Sequence, residues 1–219
     1  ITNNFRQAGY AYSTDAGLTW TFPGPIDPGV FRSDPVLDFD AEGNFYYNSL
    51  TLVNSDYVCD VYKIDDGGVI WDDGTYAHGG DKQWMRIDKT DGIGSGNNYS
   101  FWNSSYSACY PGSFTRSTDG GDTYEDCEAV SGDPRWGTLA VGPDGELYMV
   151  GTGQYTITLV KSTTAKDPSQ SVTWDFTSSV NLDGSLNGWA PINPQGLVGQ
   201  AWVDVDGSDG PGQGNVYVL

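Results

Sequence analysis

The sequence predicts an all-β chain built from a repeated four-stranded antiparallel unit. Three observations predict it. First, the aromatics Trp20, Trp71, Tyr124 and Trp174 recur at intervals of about 50 residues, the period of a solenoid or blade repeat. Second, strand–turn–strand segments of matching pattern interleave with them. Third, the chain holds 30 Gly, 14 Tyr and 8 Trp and has no long apolar periodicity of helical type. A unit of this size cannot bury its apolar face alone, so neighbouring copies must stack.

Taken in order along the chain, the units show a definite phase. Each reads as hairpin AB followed by hairpin CD, with Asp, Asn and Gly at the tight turns. Residues 1–24 supply only strands C and D. SDPVLDFDAEGNFYY, from Ser33 to Tyr47, is a first hairpin, echoed by GDPRWGTLAVGPDGELYMV from Gly132. Gly80 to Trp102 is echoed in turn by Gly199 to Leu219. Asp34, Asp81 and Asp133 open first strands, with Gln200 in the matching place, while Tyr46, Tyr99, Tyr148 and Tyr217 mark second strands. Three whole units are therefore expected, at about 33–79, 80–131 and 132–181, with half-units at 1–24 and 199–219.

Each aromatic of the tetrad closes one short motif. Ser13, Asp15, Gly17 and Trp20 form STDAGLTW; Ser117, Asp119, Gly121 and Tyr124 form STDGGDTY. Asp66, Gly68 and Trp71 keep part of it, and Trp174 ends a fourth, interrupted copy. Asp and Ser side chains bond neighbouring amides, Gly supplies positive φ, and the aromatic packs the turn onto the sheet. This S-x-D-x-G-x-T-W pattern resembles the Asp-box, or bacterial neuraminidase repeat, of the sialidase-like superfamily. The resemblance implies a β-propeller of four-stranded blades, in which the box is structural and lies away from any active site. Either the two half-blades join and close a four-bladed ring, or the chain is part of a six- or seven-bladed propeller. The missing initiating Met and the ending within a strand pattern favour the second.

Composition narrows the function classes. Net charge is −19, which argues against nucleic acid and anionic membranes as partners. No apolar run reaches membrane-spanning length. Apart from Glu42, Glu125, Glu128 and Glu146 the acids are Asp, as turns require. Cys109 and Cys127 flank one CD hairpin, so an oxidising compartment allows a disulfide, although the hairpin register does not set them directly opposite. Cys59 lies in an alternating strand and reads as a small buried hydrophobe. His78 is the lone histidine, so a histidine-rich zinc site is excluded and a Ser-His-Asp triad is disfavoured. These features suit a secreted or cell-surface protein.

The propeller resemblance places the D-to-A and B-to-C loops at one mouth. Arg32, Asp34, His78, Asp81, Arg86, Trp102, Tyr106, Asp133, Arg135 and Trp189 are expected there as ligand-binding residues. The arginines would offer forked donors to a carboxylate or sulfate, and the aromatics would stack sugar rings. Glycan or an extracellular protein is the expected partner. A sialidase needs an arginine triad, a glutamate-activated tyrosine and an aspartic acid; no glutamate is placed for this, so a complete sialidase site is not expected. One alternative is a glycoside hydrolase of the sialidase-like superfamily whose remaining catalytic groups lie outside this segment; a pair such as Asp34 and Asp81 could serve another glycosidase, which needs two acids roughly 5–10 Å apart. A purely structural scaffold is the other. Asp88, Asp91, Asp204, Asp206 and Asp209 sit in turns at a spacing suited to calcium, against the plainer reading of solvated turn acids.

Overall fold

The computed structural model describes residues 6–65, 70–152, 156–184 and 200–219. Within them lie five antiparallel sheets of two to four strands, and helix is confined to one short 3-10 turn at Ser104–Tyr106. β1 (Gly9–Tyr12) pairs with β2 (Thr21–Pro25). β3 (Ser33–Phe39), β4 (Phe45–Val53), β5 (Asp56–Ile64) and β6 (Thr75–Tyr76) form the second sheet. β7 (Asp81–Ile87), β8 (Asn98–Asn103) and β9 (Phe114–Ser117) form the third; its outer edge is reduced to a single bridge between Phe114 and Glu128. β10 (Thr138–Val141), β11 (Leu147–Thr152), β12 (Ile157–Ser162) and β13 (Phe176–Val180) form the fourth. β14 (Val203–Val205) and β15 (Val216–Val218) complete the set.

Strands are consecutive in every sheet, so each connection is a hairpin. Central strands such as β8 (NYSFWN) and β11 (LYMVGT) are buried at every position, as strands covered on both faces must be. The sheets stand side by side through their first strands: β3 contacts β7, β7 contacts β10, and β10 contacts β14.

The core is correspondingly divided into clusters between adjacent sheets. Tyr47 and Tyr62 of the second sheet pack with Tyr10, Ile26 and Trp71. Val36, Tyr46 and Val61 meet Met85 and Ile87 of the third sheet, with Tyr124 alongside. Tyr99, Phe101 and Phe114 meet Leu139, Leu147, Met149 and Val160 of the fourth, with Trp174 alongside. Thus Trp71, Tyr124 and Trp174 hold equivalent places, each plugging the gap between its own sheet and the one before. Trp20 does not. It is 66 % exposed, and its indole N–H donates to the Gly17 carbonyl at 3.2 Å. Equivalent packing of all four aromatics is therefore corrected to three, because no described sheet covers the β1–β2 face on that side.

The two complete motif turns have the same wiring. The Ser13 hydroxyl donates to Asp15 at 2.7 Å and accepts from Gly17 N–H at 2.8 Å; Ser117 does the same with Asp119 and Gly121, at 2.7 and 2.8 Å. Asp15 accepts from the amide and hydroxyl of Thr19 (2.8 and 2.6 Å), and Asp119 from those of Thr123 (2.9 and 2.5 Å). These bonds hold the Asp15 carboxyl down at about 2, against an ordinary 3.8. Burial pushes Asp119 up, but Thr123 and Ser117 outweigh it and the net shift is downward. Asp66 and Gly68 of the related third copy lie outside the described residues.

A carboxyl with a depressed folded pKa stabilises above its unfolded pKa and loses that contribution as pH falls through the folded one. We therefore expect the melting temperature to drop as pH is lowered from about 4 towards 2. In an Asp15→Asn, Asp119→Asn double variant that slope should be shallower; an unchanged slope would mean that other acids govern acid unfolding.

Candidate functional site

The first strands of the three larger sheets open with the same backbone irregularity. Ser33 pairs with Leu50 and Val36 with Asn48, so β3 carries one residue more than β4 over that stretch. Asp81 pairs with Asn103 and Trp84 with Phe101, repeating the offset in β7. In the fourth sheet Thr138 pairs with Val150, and Thr152 N–H donates to the Arg135 carbonyl at 2.5 Å, the same three-against-two count. These are β-bulges. The residue after the first pair is left-handed in each: Asp34 (φ 49°), Lys82 (φ 56°) and Trp136 (φ 47°). None is glycine, and each such residue costs about 1–3 kcal/mol, a strain that clusters at functional sites. Gly137, next to Trp136, is needed because a Cβ there would lie 1.7 Å from the Val150 carbonyl oxygen. Asp34, Lys82 and Trp136 are therefore the structural counterparts; the expected equivalence of Asp34, Asp81 and Asp133 is out of register because the bulges shift it.

Adjacency of β3, β7 and β10 gathers the bulges. Lys82 Nζ bonds Asp34 Oδ2 at 2.6 Å and lies 3.8 Å from Asp81 Oδ1. Burial raises the Asp81 carboxyl above its ordinary value; Lys82 opposes this and Asp34 reinforces it. Gln83, 2 % exposed, donates from Nε2 to the Asp34 carbonyl at 2.5 Å, and its buried Oε1 has no protein partner. Asn103, fully buried opposite Asp81, accepts from Ser105 N–H at 3.1 Å, and its Nδ2 has no protein partner.

The next residue, Ser104, donates to Asp133 at 3.2 Å. Asp133 also takes two bonds from Arg135, at 3.0 and 2.5 Å, and Arg135 reaches Ser105 Oγ at 3.0 Å. Exposed Tyr106 stands edge-on to Tyr57, centroids 5.9 Å apart. One continuous polar strip thus runs from Asp34 through Lys82, Asp81 and Asn103 to Arg135. It offers charged groups of both signs and an aromatic pair, a set able to hydrogen-bond and stack a polyhydroxylated ligand, with two unsatisfied amide atoms buried beneath it.

Of the residues expected at a single mouth, Asp34, Asp81, Tyr106, Asp133 and Arg135 belong to this strip. Arg32 is buried under the second sheet, 2.9 Å from Asp27 and 2.5 Å from Asp60, with its guanidinium over the Tyr62 ring. Trp102 is fully buried, its indole N–H shared between Ser107 Oγ (3.0 Å) and the Gly112 carbonyl (3.2 Å). It cannot stack a ligand, because β8 is a central strand covered on both faces.

Arg86 sits at the far end of β7, where Nε donates to the Leu139 carbonyl at 3.3 Å. It lines a cleft of about 470 Å³ between the hairpin turns, together with Lys89, Asp91, Asp204 and Asp209. His78 has φ 56° and packs its ring on Tyr76. Burial lowers its pKa, against Asp126 and a bond to the Glu125 carbonyl. Trp189 lies outside the described residues.

Of the acids expected to hold calcium, Asp91, Asp204 and Asp209 line the same cleft as Arg86, but among the described residues no three of the five bring ligand atoms within 4.8 Å of one another. Asp88 Oδ1 is taken by the amide and hydroxyl of Thr90, at 2.8 and 2.6 Å. Asp204 and Asp206 accept from Val205 and Ser208 amides, at 3.0 and 2.9 Å. One oxygen of each is thus taken by its own turn, while Asp88 Oδ2 is buried without a protein partner. Among the described residues, the group bringing three His, Cys or acidic ligand atoms within 4.8 Å of one another is His78, Cys109 and Cys127. The two cysteines are disulfide-bonded, and Cys59 is free and buried.

Lys82, Gln83, Asn103 and Trp136 were not legible as site residues. Their importance comes from bulge geometry, and a left-handed non-glycine residue leaves no mark in sequence.

No protein-family model matches the chain, and no curated protein matches it. Among solved structures, it is similar to a protein of unknown function from Dyadobacter fermentans DSM 18053, with a TM-score of 0.55 at 14 % identity. The alignment covers 98 % of this chain and 66 % of that one, so the chain spans just under two thirds of that protein's length. At this identity the likeness concerns the fold alone.

Proposed function

We propose that the chain is an Asp-box propeller segment of a secreted protein and binds a polyhydroxylated ligand, a glycan, at the strip formed by the three bulges. The carrying observation is that Asp34, Lys82 and Trp136 share a costly left-handed conformation at equivalent positions. Beside them Gln83 Oε1 and Asn103 Nδ2 are buried without partners. Strain and unsatisfied polar atoms together mark a place kept for something other than stability. The propeller reading draws support from the matched wiring of the Ser13–Thr19 and Ser117–Thr123 turns. It also draws on the order of two-, four-, three-, four- and two-stranded sheets along the chain. The disulfide favours an oxidising compartment.

A glycan array on the folded chain, followed by calorimetric titration of the strongest hit, tests the site. Lys82→Ala and Arg135→Ala should each weaken binding roughly tenfold or more, the usual worth of a charged hydrogen bond. Unchanged affinity in both folded variants would move the site elsewhere.

A hydrolytic reading rests on one specific observation: Lys82 stands between two carboxylates, one ion-paired (Asp34) and one raised in pKa by burial (Asp81). A carboxyl raised by burial beside a second carboxylate is the usual general acid of a glycosidase. Release of fluorophore from aryl glycosides, abolished by Asp81→Asn, would support it over simple binding. Glu42 and Glu146 lie in hairpin turns at the other end of the strands, Glu125 is paired with Arg116 and Glu128 lies on an outer edge, so no described glutamate is placed to activate a tyrosine here.

A further inference from the structure

The one dense cluster of metal-binding side chains in the described residues is assembled from three separate segments. His78 precedes β7, Cys109 follows the 3-10 turn, and Cys127 precedes the Phe114–Glu128 bridge. One imidazole nitrogen and both sulfur atoms lie within 4.8 Å of one another. We propose that, when the Cys109–Cys127 disulfide is reduced, His78, Cys109 and Cys127 bind one zinc ion, with water completing a four-coordinate site.

The chemistry of the donors selects the ion. Two thiolates and an imidazole form a soft set that favours zinc over calcium or magnesium. A bonded disulfide offers no thiolate, so zinc and the disulfide are mutually exclusive occupants of the same place. Conversion balances simply: a phosphine reductant and water give two thiols and a phosphine oxide, and zinc then displaces the two thiol protons.

The frame around the donors is fixed by contacts outside the disulfide. Ser107 Oγ donates to the Gly79 carbonyl at 2.7 Å, lies 3.2 Å from Cys109 Sγ and accepts from the Trp102 indole at 3.0 Å. Gly112 N–H closes a turn on the Cys109 carbonyl at 2.7 Å. On the other side, Glu128 N–H donates to the Phe114 carbonyl at 2.8 Å, next to Cys127. The His78 ring packs on Tyr76, centroids 5.0 Å apart, which orients it beside the two sulfur atoms. All three residues are partly exposed, so an ion and its water have access. Cys59 is sealed beneath Gly79 and takes no part.

The test uses the whole chain, oxidised or reduced with phosphine, and zinc alone as ligand. Uptake is measured by chelator competition and native mass spectrometry, with circular dichroism melts recording whether each form is folded. One zinc per folded reduced chain and none per oxidised chain is expected. Cys127→Ser should lose the ion, His78→Ala should bind at least tenfold more weakly, and Cys59→Ser should bind as wild type. Cobalt substitution should show thiolate-to-metal charge transfer in the same variants. No uptake by the folded reduced chain would overturn the proposal, as would equal affinity in His78→Ala or a dependence on Cys59. Unfolding on reduction would also overturn it, since the three donors converge only in the folded chain.

Discussion

Replacing Arg116 by Met is expected to destabilise the protein by about 3–5 kcal/mol, the scale of breaking a buried charged network. Arg116 lies in β9 with its side chain only 3 % exposed. Its guanidinium donates to Glu125 at 2.9 Å and to the carbonyls of Ala165 (2.8 Å), Asp167 (3.1 Å) and Gln170 (2.7 Å). Those carbonyls belong to the insertion that interrupts the fourth motif copy, so one side chain ties the third sheet to a loop of the fourth. Met keeps the stem but leaves the carbonyls facing apolar atoms. Arg116→Lys should fall between, because a single ammonium cannot reproduce the planar fork. Urea unfolding measures the difference; a loss below about 1 kcal/mol would show that the loop is held by its own turns.

Trp102→Ala should cost about as much, roughly 3–5 kcal/mol, from lost burial and the cavity left behind. The indole also satisfies Ser107 and Gly112, so the turn carrying Cys109 should loosen with it. Trp20→Ala provides the contrast. With 66 % of that residue exposed, its removal should change stability by no more than about 0.5 kcal/mol. Thermal melts of the two variants side by side decide the point. A large loss at Trp20 would mean that its face is covered in solution.

Local chemistry in the sequence reached far into this structure. The wiring of the motif turns depends on contacts between residues no more than four apart, such as Ser13 with Gly17 and Asp119 with Thr123. Asp, Ser, Thr and Gly specify those bonds by residue type alone. Strand alternation is equally local, and it placed Cys59 in the interior correctly.

The remaining features are properties of neighbours distant in sequence. Trp20 and Trp174 close related motifs, yet only Trp174 packs against the core, because a facing sheet and not the motif determines coverage. Trp102 reads as a loop aromatic until β8 is seen to be central. Arg86 shares a strand with Asp81 but serves the opposite end, since seven residues of strand carry β7 from one face to the other. The left-handed bulges at Asp34, Lys82 and Trp136 arise from cross-strand register, which no residue type announces. His78, Cys109 and Cys127 meet only because separate loops are brought to one edge of the third sheet. Turn chemistry is written in adjacent residues; burial, register and convergence are set by long-range pairing, and there the sequence read alone stops.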